Sequence, residues 1–181
     1  MKKVFFIVGP ESSGTRIVTR LFCLAGCWGD WSHEQRLDRF VYGKVSKIPD
    51  LAGESEAIVF RRSIPHYPVV RPDIVGIGDM FLSVGFQPYY IVTMRNWGCN
   101  AASKERVGHS PDLSKAKQDL TEEWVNIGNL FGGFGGRFYV ILTSSLFRDP
   151  QRAINDMGTW LKLKFPPQAT EVVFDADEKY Y

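Results

Sequence analysis

The sequence predicts an α/β fold, with a central parallel sheet covered by helices on both faces. Three observations carry that expectation. Short apolar runs rich in β-branched and aromatic residues recur at residues 4–8, 57–61, 89–94 and 138–143, the signature of buried parallel strands. Helical periodicity fills intervals between them, best over residues 114–131, where Ala116, Leu120, Trp124, Ile127 and Phe131 repeat at three-to-four spacing. The first run also ends in Gly9-Pro10-Glu11-Ser12-Ser13-Gly14 and is followed at once by a helix pattern, which is how an α/β unit opens.

Taken in order, residues 15–25 put Ile17, Val18, Leu21, Phe22 and Leu24 roughly on one face, and Gly26 ends that helix. Residues 28–56 read as irregular, apart from a short helix pattern at 33–41. The second strand runs into Arg61-Arg62-Ser63-Ile64-Pro65-His66, where Pro65 stops regular structure. Residues 67–78 are punctuated by prolines and show no clear period. Arg95-Asn96 closes the third strand, and residues 97–107 suit a helix. Gly132 to Gly136 reads as a flexible connector. Asp149-Pro150 is an N-cap with proline at the first helical position, opening a helix to Leu161 that Pro166-Pro167 stops. Neither a repeat nor a dividing linker is visible. The expectation is one domain over residues 1–170 and a solvated acidic tail over 171–181.

Bulk properties narrow the function. Net charge is +2, from 22 basic and 20 acidic side chains, which gives no reason to expect nucleic acid or an anionic membrane as partner. The sparse cysteines, Cys23, Cys27 and Cys99, argue against a disulfide framework. Cys23 and Cys27 read as buried thiols of a core helix, since no neighbouring ligand completes a metal site. Apolar runs fall short of the ~20 residues of a membrane helix. Residues 4–8 are likewise too short for a signal-peptide core after Met1-Lys2-Lys3. A soluble cytoplasmic protein is expected.

The Gly9–Gly14 turn has the chemistry of a phosphate-binding loop. Glycine-rich strand-to-helix turns leave backbone N–H groups and a helix N-terminus to hold an anion. Ser12, Ser13 and Thr15 add hydroxyls. The three-layer fold is thus of the P-loop nucleotide-triphosphatase type. ATP chemistry, however, requires a lysine for the β- and γ-phosphates, then a Ser/Thr for Mg²⁺. Here Thr15 and Arg16 occupy those two places. Asp79, after Ile74-Val75-Gly76-Ile77-Gly78, is the one weak candidate for a strand-end metal carboxylate.

Ser13-Gly14-Thr15-Arg16 resembles the loop ending of the P-loop sulfotransferases, which use 3′-phosphoadenosine 5′-phosphosulfate (PAPS). The resemblance continues at Ile91-Val92-Thr93-Met94-Arg95-Asn96 with Ser103 eight positions beyond Arg95, and again from Tyr139 through Asp149-Pro150 to Trp160-Leu161-Lys162-Leu163. It therefore spans residues 4 to 165 or so, in order. It implies that Gly9, Pro10, Glu11, Ser12, Ser13, Gly14, Thr15 and Arg16 bind the 5′-phosphosulfate, and that Arg95 and Ser103 bind the 3′-phosphate. A strand-end guanidinium with a helix hydroxyl is a sound phosphate clamp. The resemblance makes PAPS the co-substrate and implies no metal. The chain departs from the family at Ser12, where the family's loop carries Lys or Arg to support the leaving phosphate. Arg16, Arg20, Arg61, Arg62 and Lys104 are the cations that could replace it.

An acceptor hydroxyl, on a glycan or a small metabolite, needs a general base. By family register this is Glu34, about eighteen positions after Arg16, or His66, three residues beyond the position of the family's histidine. His109 ranks third. Arg61 and Arg62 read as a guanidinium pair for an anionic acceptor. The short chain suggests a pared-down acceptor site or one completed by a second subunit in a homodimer. Two other readings stay open: a P-loop kinase for a nucleotide or small molecule, and a non-catalytic nucleotide-binding module.

Overall fold

A computed structural model describes residues 2–29, 56–64, 73–132 and 138–180, with side chains up to Phe174. Four strands, β1 (Lys2–Gly9), β2 (Ala57–Ser63), β3 (Phe86–Met94) and β4 (Phe138–Leu142), form one parallel sheet in the order β2-β1-β3-β4. The helices are α1 (Thr15–Leu24), α2 (Ile74–Ser83), α3 (Trp97–Arg106), α4 (Leu113–Gly132), α5 (Thr143–Arg148), α6 (Pro150–Leu161) and α7 (Gln168–Tyr180).

Strand alternation sorts the core into two halves. Val4, Phe6 and Val8 of β1 pack with Ile74, Ile77 and Phe81 of α2 and with Ile127 and Phe131 of α4. Phe5 and Ile7 face the other way, onto α1, α6 and α7, where Val18, Leu21, Phe22, Ile154, Met157 and Val173 are buried. Both faces of β1 are therefore covered, which explains its unbroken apolar run. Phe6 stacks on Tyr90 at 5.4 Å and meets Phe81 edge-on at 5.7 Å.

The strand order sets the position of the site. After β1 the chain passes through α1 toward β2; after β3 it leaves in the opposite direction, through α3 and α4 to β4. The crevice between the carboxyl ends of β1 and β3 is thus the switch point at which ligands of open α/β sheets bind.

Sequence and structure differ in four places. Residues 74–78, which show no clear period in the sequence, belong to helix α2 (Ile74–Ser83). Asp73 caps it by accepting from the Gly76 N–H at 2.9 Å. Gly76 and Gly78 are required locally, since a Cβ on Gly76 would collide with the Asp73 carboxylate and one on Gly78 with the Tyr90 hydroxyl. Asp79 is therefore an exposed helix residue and not a strand-end carboxylate, which removes the metal position assigned to it. Thr143 opens helix α5 rather than ending β4. Helix α6 begins and ends as expected, with Asp149 accepting from Arg152 N–H at 3.1 Å and Leu161 as its last residue, but a left-handed Lys162 (φ 53) stops it before the two prolines are reached. The C-terminal segment is helical in α7, with Val172 and Val173 in the core beyond the expected boundary at residue 170.

Gly9 closes β1 where the backbone is most crowded. A Cβ there would meet Thr93 Oγ1, Ser13 Oγ and the Thr93 carbonyl. Gly9→Ala should therefore destabilise the fold by about 1–3 kcal/mol, as overpacking does. Urea denaturation reads this directly, and an unchanged midpoint would mean that the loop relaxes freely.

Candidate functional site

The turn between β1 and α1 is held from three sides. Ser13 is fully buried and its Oγ lies 2.6 Å from Thr93 Oγ1 on β3. Ser13 N–H donates to Pro10 O at 3.2 Å, and Val18 N–H donates to Gly14 O at 3.2 Å. Gly14 is the N-cap of α1 in the left-handed region (φ 97), a conformation that favours glycine. Thr143 packs against Gly14, and its Oγ1 donates to Met94 O at 2.9 Å. Among the described residues, the N–H groups of Ser12, Gly14 and Thr15 have no backbone acceptor, and no side chain caps α1. Unpaired donors at the start of a helix form an anion-binding concavity.

Arg95, just past β3, donates from Nη1 to Ser12 O at 3.4 Å, which brings the strand-end guanidinium to the loop. Ser103 is buried on α3, one turn beyond Asn100 and so on the same helix face. The side chain of Asn100 is also buried. With its amide nitrogen turned to the two carbonyls it faces, it donates 2.8 Å to Glu11 O and 3.2 Å to Ser12 O. The loop, Arg95 and the first turns of α3 thus form one assembly.

The other candidates are distributed as follows. Arg16 is exposed on α1 and Arg20 is half-buried. Arg61 and Arg62 sit on β2 opposite Ile7 and Val8 of β1. Strand alternation sends them to opposite faces, Arg62 buried and Arg61 half-buried, so they do not form the pair read from the sequence. Lys104 is buried in an ion pair with Glu123 of α4 and is committed there rather than to a leaving group. His109 Nδ1 lies 3.4 Å from Glu11 Oε2, so this histidine engages the loop's own carboxylate. Glu34 and His66 lie outside the described residues. Cys27 is buried, which pushes its thiol up to about 12, and Cys23 Sγ donates to Gly29 O at 3.2 Å. Among the described residues there is no His/Cys/Asp/Glu group able to hold a metal, and no helix is long and apolar enough to cross a membrane.

Sequence reasoning missed Thr93 and Asn100, whose partners are remote in the chain. It also missed the Lys104–Glu123 pair, although a signal was present: Glu123 interrupts the apolar stripe of α4 at a core position.

Solved sulfotransferase domains share this architecture. The sulfotransferase domain of the Synechococcus PCC 7002 olefin synthase superposes with a TM-score of 0.64 at 15% identity, covering 94% of this chain and 77% of that one. The sulfotransferase domain of the curacin biosynthetic pathway gives a TM-score of 0.63 at 13% identity, with 93% and 77% covered. The fold is therefore that of the P-loop sulfotransferase domains. No protein-family model matches the chain, and no curated protein matches it in sequence.

Burial pushes the Glu123 carboxyl from 4.5 up to about 7, against the pull of Lys104 toward the charged form, with Glu11 and Asp119 adding repulsion. A raised carboxyl contributes stability below its unfolded value, and that contribution is lost as pH rises through the folded value. Removing Lys104 exposes this slope. Lys104→Met should cost about 3–5 kcal/mol at pH 8, where a lone carboxylate stays buried, and far less at pH 5, where the carboxyl keeps its proton. Urea titrations at the two pH values test this. Equal losses would show that neutralising Glu123 is not what Lys104 supplies.

Proposed function

We propose that the chain is a sulfotransferase that moves a sulfuryl group from PAPS to a hydroxyl of a glycan or small metabolite. The observation that supports this best is the loop itself. Among the described residues, the N–H groups of Ser12, Gly14 and Thr15 at the N-terminus of α1 have no backbone acceptor, and the Arg95 guanidinium reaches the same loop. The 5′-phosphosulfate sits on residues 9–16, with Arg16 as the cation nearest in sequence for charge developing on the leaving phosphate. Arg95 and Ser103 take the 3′-phosphate, the group ATP lacks. In the transfer, a lone pair of the acceptor oxygen forms the new S–O bond as the bridging S–O bond breaks. The bond electrons leave with the nucleotide phosphate, and the acceptor proton goes to Glu34 or His66.

The non-catalytic alternative is favoured by one observation. The loop has Ser12 where the family has a cation, and Lys104 is locked on Glu123. The kinase alternative has lost its carboxylate, since Asp79 is an exposed residue of α2.

Calorimetric titration separates these readings. The wild type should bind 3′-phosphoadenosine 5′-phosphate at least tenfold more tightly than AMP, because a charge-assisted contact contributes about 1.5–3 kcal/mol. Arg95→Ala should collapse that ratio toward one, and because it is a ratio, any general loosening of the loop cancels. Equal affinities in the wild type, or a ratio that survives Arg95→Ala, would overturn the 3′-phosphate assignment. Tighter binding of ATP–Mg²⁺ would turn the reading to a kinase. Nucleotide binding without transfer from PAPS to any of a panel of alcohols and sugars would favour the binding module.

A further inference from the structure

We infer that Asn100 is a positioning residue of the phosphate loop: its buried carboxamide sets the direction of the loop's backbone N–H groups. The inference rests on the phosphate-loop reading above but uses a residue outside the loop motif. Asn100 is 1% exposed, in the first turn of α3. It faces two carbonyl oxygens, those of Glu11 and Ser12, at 2.8 and 3.2 Å. Only the NH₂ side of a carboxamide satisfies two acceptors, so the surroundings fix its orientation.

The consequence follows from peptide geometry. In a trans peptide the N–H points opposite to the C=O. Holding the Glu11 carbonyl toward α3 turns the Ser12 N–H away from it. That N–H is one of the donors that lack a backbone acceptor among the described residues. Ser12 also stands in the left-handed region at φ 65, where a non-glycine residue is strained and persists only when its surroundings hold it. Asn100 Nδ2 and Arg95 Nη1 both grip the Ser12 carbonyl and supply that hold. Asn100 thus stabilises a conformation the loop would not adopt by itself.

The test uses Asn100→Asp, which keeps the shape but replaces two donors with a carboxylate facing two carbonyls, and Asn100→Ser as a smaller change that retains one donor. Two readouts on the whole chain are needed. The first is affinity for AMP and for 3′-phosphoadenosine 5′-phosphate below the melting temperature of each variant. Asn100→Asp should lose about 10–100-fold for both nucleotides, leaving their ratio intact, and Asn100→Ser should fall in between. The second is amide hydrogen exchange in the free protein at Ser13 and Val18, whose N–H groups donate to the loop carbonyls of Pro10 and Gly14, which should accelerate in Asn100→Asp more than exchange in the core strand β1. A merely structural role would lower the melting temperature while leaving both affinity and loop-specific exchange unchanged, and that result overturns the inference. If the wild type binds neither nucleotide, the sulfotransferase reading fails by itself. The exchange measurement still decides about Asn100, because it needs no ligand.

Discussion

Ser13 Oγ and Thr93 Oγ1, buried at 2.6 Å from each other, join the loop after β1 to the last turn of β3. Much of the site depends on that contact. Thr93 also lies 3.3 Å from Val8 O, so one hydroxyl bridges the neighbouring strand and the turn that leaves it. The approach is so close that residue 9 has no room for a side chain. Thr143 repeats the device one strand further out, bonding Met94 O while its methyl packs on Gly14. Short hydroxyl side chains thus tie the carboxyl ends of β1, β3 and β4 together, and the loop is stretched over that platform. A hydroxyl suits the role because it donates and accepts in little space, and its pairing offsets the burial that would otherwise be costly.

The platform explains why the crevice is polar inside an otherwise apolar domain. Along β1 both faces are covered, and core side chains run without interruption from Val4 to Val8. At Gly9 the pattern switches to glycine, hydroxyls and unpaired N–H groups. The chain leaves β1 and β3 in opposite directions, which opens a crevice at their junction. The polar groups therefore sit at the switch point, the place where ligands of open α/β sheets bind.

Local physics made most of the fold legible in the sequence. The strands announce themselves through β-branched and aromatic runs, α1 and α4 through their period, and α6 through the Asp149-Pro150 cap. The loop was legible because glycine and serine at fixed spacing have one common chemical use. Helix α2 was hidden because Gly76 and Gly78 lower helix propensity, whereas the reason for Gly78 is the Tyr90 hydroxyl from another element. Thr93 and Asn100 were hidden for the same reason. Nothing within ten residues of either one reveals its partner, and the Ser13–Thr93 bond spans 80 positions. Arg61 and Arg62 misled in the opposite way. Adjacency in sequence suggested a pair, but on a strand adjacent side chains diverge.

The proposed phosphate site has a serine in place of the lysine and a glutamate of its own, and the charges around the loop are arranged accordingly. A carboxylate about 4 Å from a bound phosphate would cost about 4 kcal/mol at an effective dielectric of 20. Glu11 belongs to the loop, yet its side chain is drawn to His109 beyond the end of α3, with Oε2 3.4 Å from Nδ1. The backbone of the same residue is held by Asn100, and that of the next by Asn100 and Arg95. Helix α3 therefore sorts the charges. It engages the acidic side chain through its far end, while the residues at its start present a guanidinium and steer backbone N–H groups. Lys104, further along the same helix, is spent on Glu123 and adds no net charge to the crevice. Among the described residues, backbone dipoles at the start of α1 and the Arg95 guanidinium give the loop its positive character. In the proposed reaction, residue 12 offers a departing phosphate a hydroxyl in place of a cation. The rate of transfer, more than affinity, is where the missing lysine should be felt.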